Sequence, residues 1–138
     1  MNLLIDYALR FVGVPYIYGG KNPLVGLDCS GLVSLILKAG GALFFGMELS
    51  SGGIYEFLIK KHPTCDPKPG AVVFFGKDLQ HICHVAFCLS DKIMIEAGGG
   101  HADTLTRQKA IEHNAFVKVM PIKYRSDYLC SIYPDYVL

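Results

Sequence analysis

Apolar residues recur at helical spacing only before His62 in this chain, and at strand spacing only after it. One backbone cannot satisfy periods of 3.6 and 2 residues together, so this division constrains the fold more than any single residue does. Leu4, Ala8, Phe11 and Val12 predict an amphipathic helix over 3–12, with Asn2 in the cap position and Gly13 as its stop. Leu32, Val33, Leu35, Ile36 and Ala39 predict a second, ended by Gly40-Gly41, with Asp28 where an N-cap belongs. Apolar residues on most of its sides make this the central helix. A weaker third covers Ile54 to Lys61, entered through the turn at 50–53. Pro15, Gly19, Gly20, Pro23 and Gly26 predict an irregular loop over 14–27.

Beyond His62 the prolines at 63, 67 and 69 and Gly70 mark a loop, and β-type runs follow at Ala71–Phe75, Ile82–Leu89, Ile93–Glu96 and Phe116–Ile122. Helices first and strands second predict an α+β domain, with N-terminal helices packed on a mainly antiparallel sheet. Residues 107–114 show no readable pattern. The 138 residues read as a single domain, and with 51% of them apolar the chain can offset its ordering entropy.

A net charge of +1 without a Lys/Arg block gives no footprint for nucleic acid or an acidic membrane. No apolar run approaches the length of a membrane span. Asp6 and Arg10 interrupt the apolar start, and no signal peptide is expected. The expectation is a soluble product synthesised in the cytoplasm. Five cysteines are an odd number, and without a leader they read as five thiols, mostly buried. Cys65, Cys83, Cys88 and Cys130 are assigned to packing or surface, without a role.

Cys29 differs. In Leu27-Asp28-Cys29-Ser30-Gly31 it occupies the first turn of the central helix. The partial positive charge of a helix N-terminus favours the thiolate, the nucleophilic form. Gly31 permits a close approach to the helix start, and nearby backbone N–H groups are suited to hold an oxyanion. A buried structural cysteine is the alternative.

A nucleophile needs a rigid base, and five histidines compete. His62, His101 and His113 lie in loop-like or polar surroundings. His84 is the best anchored, within Ile82-Cys83-His84-Val85-Ala86-Phe87. Alternation along that strand puts Val85, Phe87 and Leu89 on one face and His84, Ala86 and Cys88 on the other. Matching aliphatic residues with Ile93 and Ile95 of the next strand requires a three-residue loop, Ser90-Asp91-Lys92. That register sets Leu89 opposite Ile93 and Ala86 opposite Glu96. Glu96 then becomes a same-face diagonal neighbour of His84, within reach of long side chains. A carboxylate there can orient an imidazole and stabilise its charged form. No metal or cofactor is expected: His81, Cys83, His84 and Cys88 are close in sequence but fall on two strand faces.

At these residues the sequence resembles the NlpC family of papain-like cell-wall peptidases. Five ordered pieces carry the resemblance over nearly the whole chain: 13–20 (GVPYIYGG), 28–33 (DCSGLV), 69–75 (PGAVVFF), 84–87 (HVAF) and 93–97 (IMIEA). The resemblance implies a papain-like α+β fold and hydrolysis within peptidoglycan stem peptides, usually between the γ-carboxyl of D-glutamate and a diamino acid. By position Cys29 would attack that carbonyl, His84 would carry protons, and Glu96 would take the orienting place, where histidine is common. His101 is the reserve for that place. Tyr16 would bring its hydroxyl near the thiolate, or simply pack; Asp28 and Ser30 would face substrate, although Asp28 also reads as a helix cap. The loop 20–28 is about one residue longer than the family pattern. Tyr18 stands where tryptophan is frequent and Ala71 where aspartate is.

Other readings keep the fold. An amidase or an acyltransferase would use the same Cys–His pair, since each passes through an acyl-enzyme. A phage tail structural or assembly protein could retain the hydrolase fold. The expected partner is a peptidoglycan stem peptide. Delivery would be by lysis, a phage particle or tail, or a secretion apparatus.

Overall fold

The computed structural model describes residues 1–137. Four helices, α1 (Asn2–Leu9), α2 (Cys29–Ala39), α3 (Ser51–Ile59) and α4 (Arg107–Glu112), accompany eight strands. The strands are β1 (Lys21–Asn22), β2 (Gly26–Leu27), β3 (Thr64–Cys65), β4 (Val72–Gly76), β5 (Ile82–Cys88), β6 (Ile93–Gly98), β7 (Phe116–Pro121) and β8 (Tyr128–Ile132). β1 and β2 form a small ladder inside the 14–27 loop, so that loop is less irregular than its glycines and prolines suggest. The other six make one antiparallel sheet in the order β3-β8-β4-β5-β6-β7. Among the described residues no helix is long and apolar enough to cross a membrane.

The α+β architecture is the one the sequence pattern implies, with boundary differences that have local causes. α1 ends at Leu9, three residues before its apolar pattern does, and Gly13 N–H instead bonds Val117 O on β7 at 2.9 Å. α3 begins at Ser51 rather than Ile54 because Ser50 caps it, accepting from Gly53 N–H at 3.1 Å. α4 spans only six residues, too few to display a helical period, and is started by Thr106 Oγ1 accepting from Lys109 N–H. β8 escaped the sequence pattern because of a bulge: Phe74 faces Cys130 and Phe75 faces Tyr128, leaving Leu129 extra.

The central strands β4, β5 and β6 are buried on both faces. Val72, Phe74, Val85, Phe87, Ile95 and Ala97 pack beneath α1, α2 and α3. Ala71, Val73, Phe75, Ala86, Cys88 and Met94 form a second layer, covered by Ile122 and partly buried Cys65, Met120 and Tyr133. Burial on both sides explains why β4 reads as an unbroken apolar run rather than an alternating one.

Between β5 and β6, Phe87 faces Ile95 and Cys88 faces Met94, and Leu89 N–H bonds Ile93 O at 2.8 Å. This is the register that aliphatic matching requires. All five cysteines are free thiols, but only Cys88 is fully buried; Cys83 is exposed and the other three are half-buried. The expectation of mostly buried thiols therefore fails, because 65, 83 and 130 lie on edge or bulged segments.

Candidate active site

α2 begins where a glycine-bearing loop touches it. Asp28 caps the helix: its Oδ1 accepts from Gly31 N–H at 2.7 Å and from the Ser30 hydroxyl at 3.1 Å, and its Oδ2 accepts from Gly19 N–H at 3.1 Å. Asp28 N–H in turn donates to Gly20 O at 3.1 Å. A Cβ at position 31 would collide with that Gly20 carbonyl, so only glycine allows the loop this close to the helix start. Of the two readings of Asp28, the cap is the one seen in its contacts. A carboxylate with three donors keeps about one lone-pair site for anything else.

The cap fixes Cys29 at the helix N-terminus, where the backbone N–H groups of Cys29 and Ser30 take no partner within the helix. Its Sγ lies 3.4 Å from the hydroxyl of Ser51, a buried residue at the start of α3. α2 packs against β5, which supplies His84. A bulge sits beside that histidine: Phe75 faces His84 but Gly76 faces Ile82, leaving Cys83 extra. Bulges re-aim side chains next to sites of this kind.

His84 is buried, and its Nε2 lies 2.6 Å from Glu96 Oε1. The ring's other nitrogen, Nδ1, is thereby left for the Cys29 thiol. Glu96 is 2% exposed and bonded at both oxygens, since its Oε2 accepts the Tyr124 hydroxyl at 2.6 Å. Behind it Arg125 lies over the Phe75 ring, 5.1 Å from the centroid, and is forked onto Asp127 by two bonds of 2.9 Å.

These contacts set the charges. Burial works against a Cys29 thiolate, but hydrogen bonding and attraction from His84, with the Ser51 hydroxyl, outweigh it and lower the thiol below its ordinary value. Burial likewise works against a charged His84, yet Cys29 and Glu96 raise it to about 9. Glu96 is also opposed by burial, and is held below the usual carboxylate range by His84, Tyr124 and Arg125. The arrangement favours a thiolate–imidazolium pair. Cys88 shows the contrast: burial pushes its thiol up to about 12, leaving an inert core group.

Tyr16 is 8% exposed, and its backbone N–H donates to Ala115 O at 3.0 Å. Burial raises its hydroxyl first, and the charges of Cys29 and Asp28 raise it further, so it remains a donor. The structure thus bonds His84 to Glu96 and places Cys29 where His84 acts on its thiol, with Tyr16, Asp28 and Ser30 around the helix start. His101 does not join them; it is exposed and pairs with Asp103. His81 and Cys83 are exposed while His84 and Cys88 are buried, so these four do not converge as metal ligands. Two contributors were missed in the sequence. Ser51 is visible there only as part of a turn, and Tyr124 lies in a short 3₁₀ turn, Ile122–Tyr124, without periodicity.

Comparison with known proteins gives a consistent result. The model of the NlpC/P60 family matches residues 13–120. This chain belongs to the NlpC/P60 family. Its relatives include the gamma-DL-glutamyl hydrolase of Bacillus subtilis (strain 168), 33% identical over 74 residues, which are 53% of this chain and 17% of that protein. Across the curated relatives it matches, this NlpC/P60 chain covers less than a third of each relative's length. Among solved structures, the peptidoglycan hydrolase RipB of Mycobacterium tuberculosis superposes with a TM-score of 0.67 at 24% identity, covering 98% of this chain and 67% of that one. RipD of the same organism, described as a non-catalytic NlpC/p60 domain protein adapted to peptidoglycan binding, gives 0.65 at 21% identity, covering 99% and 96%. At these identities the structures establish the fold alone.

Proposed function

We propose that the protein is a cysteine peptidase that cleaves peptidoglycan stem peptides at the bond between the γ-carboxyl of D-glutamate and a diamino acid. One observation carries this reading: the half-buried Cys29 thiol stands at a helix N-terminus and is lowered chiefly by His84, which is itself buried and paired with Glu96. RipD, by its description, shows that an NlpC/P60 fold can serve binding without catalysis, so the fold cannot decide the matter and these side chains must. The likeness to a gamma-DL-glutamyl hydrolase supports the choice of bond.

In this reading the Cys29 thiolate attacks the γ-carbonyl carbon. The oxyanion that forms is met by the free first-turn N–H groups and the protonated Tyr16 hydroxyl. His84, charged in the resting pair, gives its proton to the departing amine of the diamino acid, and the C–N bond breaks to leave a thioester on Cys29. Water then attacks the thioester, His84 accepts its proton, and the D-glutamyl product leaves with its γ-carboxylate. Glu96 holds the imidazole in orientation throughout and stabilises its charged form. Ser30 and the remaining acceptor site of Asp28 face the stem peptide.

The test is mass spectrometry of purified peptidoglycan and of soluble stem peptides after incubation, with Cys29→Ala alongside. Fragments ending at D-glutamate, absent with the variant, are expected. Stem peptides freed from the sugar would move the enzyme to amidase chemistry. No cleavage by a folded protein with an alkylatable Cys29 would point to acyl transfer or a structural role.

A further inference from the structure

A second cluster of ligand-bearing side chains stands apart from Cys29. His101 and Asp103 lie on the loop after β6, and His113 is the C-cap residue of α4. One ligand atom from each lies within 4.8 Å of the others. His101 Nδ1 pairs with an Asp103 carboxylate oxygen, and the His101 and His113 rings stack with centroids 4.6 Å apart and planes 27° from parallel.

The cluster is organised from beneath by Thr104, whose side chain is completely buried. Its hydroxyl accepts from His101 N–H at 3.1 Å and bonds His113 Nδ1 at 3.0 Å. With His113 Nδ1–H donating to that hydroxyl, Nε2 carries the ring's lone pair. An imidazole held at one nitrogen by a protein group, with the other turned outward, is how metal-binding histidines are positioned. A solvated turn would need neither the buried threonine beneath both histidines nor two imidazole rings stacked on each other.

We propose that His101, Asp103 and His113 form a binding site for a divalent transition-metal ion of the zinc class. Two imidazoles and one carboxylate suit such an ion, whereas calcium and magnesium call for oxygen donors throughout. Zn–N and Zn–O bonds of about 2.0–2.2 Å would draw the three atoms to roughly 3.4 Å apart. His101 and Asp103 are exposed and free to close that gap by rotamer changes, while His113 stays on Thr104. The fourth position is left to water.

The site borders the Cys29 region. Thr104 O accepts Tyr18 N–H at 2.7 Å, and Gly100 lies flat against the Tyr16 ring, where any Cβ would overlap it. A bound ion would tie this loop to α4 and stiffen the wall behind Tyr16. The proposal is independent of the peptidase reading.

The test uses the full chain carrying Cys29→Ala, which removes the most reactive thiol as a competing ligand. Zn²⁺ alone is titrated by calorimetry, and Co²⁺ is followed by its absorption spectrum. We expect one Zn²⁺ per chain and a rise in melting temperature on loading. Adding His101→Ala and Asp103→Ala, both at exposed positions, should weaken binding at least about tenfold and leave the metal-free melting temperature unchanged. The Co²⁺ complex should show ligand-field bands without a thiolate-to-cobalt charge-transfer band. Absence of stoichiometric binding, binding that survives the double substitution, or a thiolate band would each overturn the site.

Discussion

His81 and His84 are three residues apart, each within 2.7 Å of a carboxylate oxygen, and the two pairs are chemically alike yet physically opposite. His81 meets Asp78 inside the turn between β4 and β5, with side chains 66% and 50% exposed. His84 meets Glu96 from the neighbouring strand, with side chains 8% and 3% exposed. A partner three residues back in a turn is available to any chain that bends there, and water screens the result. A partner fixed by strand register arrives inside the sheet, where one ring nitrogen is committed and the other is aimed. The difference lies in what each bond is anchored to.

The largest effect should come from removing the buried partners of the thiol. His84→Ala should lower kcat/KM on a stem-peptide substrate by on the order of 10⁴-fold or more, and Cys29→Ala should abolish turnover. His81→Ala should change it less than about twofold. Comparable losses at 81 and 84 would erase the distinction between the two pairs.

Glu96→Gln tests the carboxylate without emptying its place. An amide can bond the ring but cannot stabilise its charge, so kcat should fall by roughly 10²-fold, with KM little changed. The alkaline limb of the pH–rate profile should move below the value of about 9 set by His84 in the intact pair. Asp78→Asn should move neither.

The same substitution has a stability signature. Glu96 is depressed, so its contribution is present above the unfolded carboxylate value of about 4.3 and is lost as pH falls through its folded value. His84 is raised, so its contribution is complete below the unfolded value of about 6.5 and is lost as pH rises through about 9. The melting-temperature gap between wild type and Glu96→Gln should therefore be widest between about pH 4.3 and 6.5, corresponding to about 2 kcal/mol. It should narrow on both sides; a gap that widened above pH 9 would contradict the pairing.

Much of this site was legible because it rests on periodic features. A helix-start cysteine needs only a cap and an apolar helix to be recognised, and Glu96 follows from alternation plus one loop length. Tyr124 and Ser51 reach the same atoms from a 3₁₀ turn and from the start of another helix, and neither position is fixed by a period. Strand β8 was hidden for a related reason, since the extra Leu129 breaks its alternation. Sequence patterns record what repeats along one element, and tertiary contacts between single residues leave no such trace.

Tyr124 sharpens the comparison, because among the described residues no side chain donates to the second oxygen of Asp78. Its hydroxyl occupies the second oxygen of Glu96 at 2.6 Å. Tyr124→Phe should leave that oxygen without its donor, lowering kcat by roughly tenfold, with KM unchanged. A loss in KM instead would move Tyr124 from positioning Glu96 to contacting substrate.

Ser51 should give the smallest effect and the most specific one. Its hydroxyl lies 3.4 Å from Sγ and adds to the lowering of the thiol that His84 chiefly produces. Ser51→Ala removes only that addition, so turnover near neutral pH should fall by about threefold or less. The pH dependence of Cys29 alkylation by iodoacetamide should shift upward, because less of the thiol is ionised at any given pH. Ser51→Thr keeps the hydroxyl and should restore the profile. An unshifted profile in Ser51→Ala would mean that the histidine sets the thiolate alone, and that the serine is only the first residue of α3.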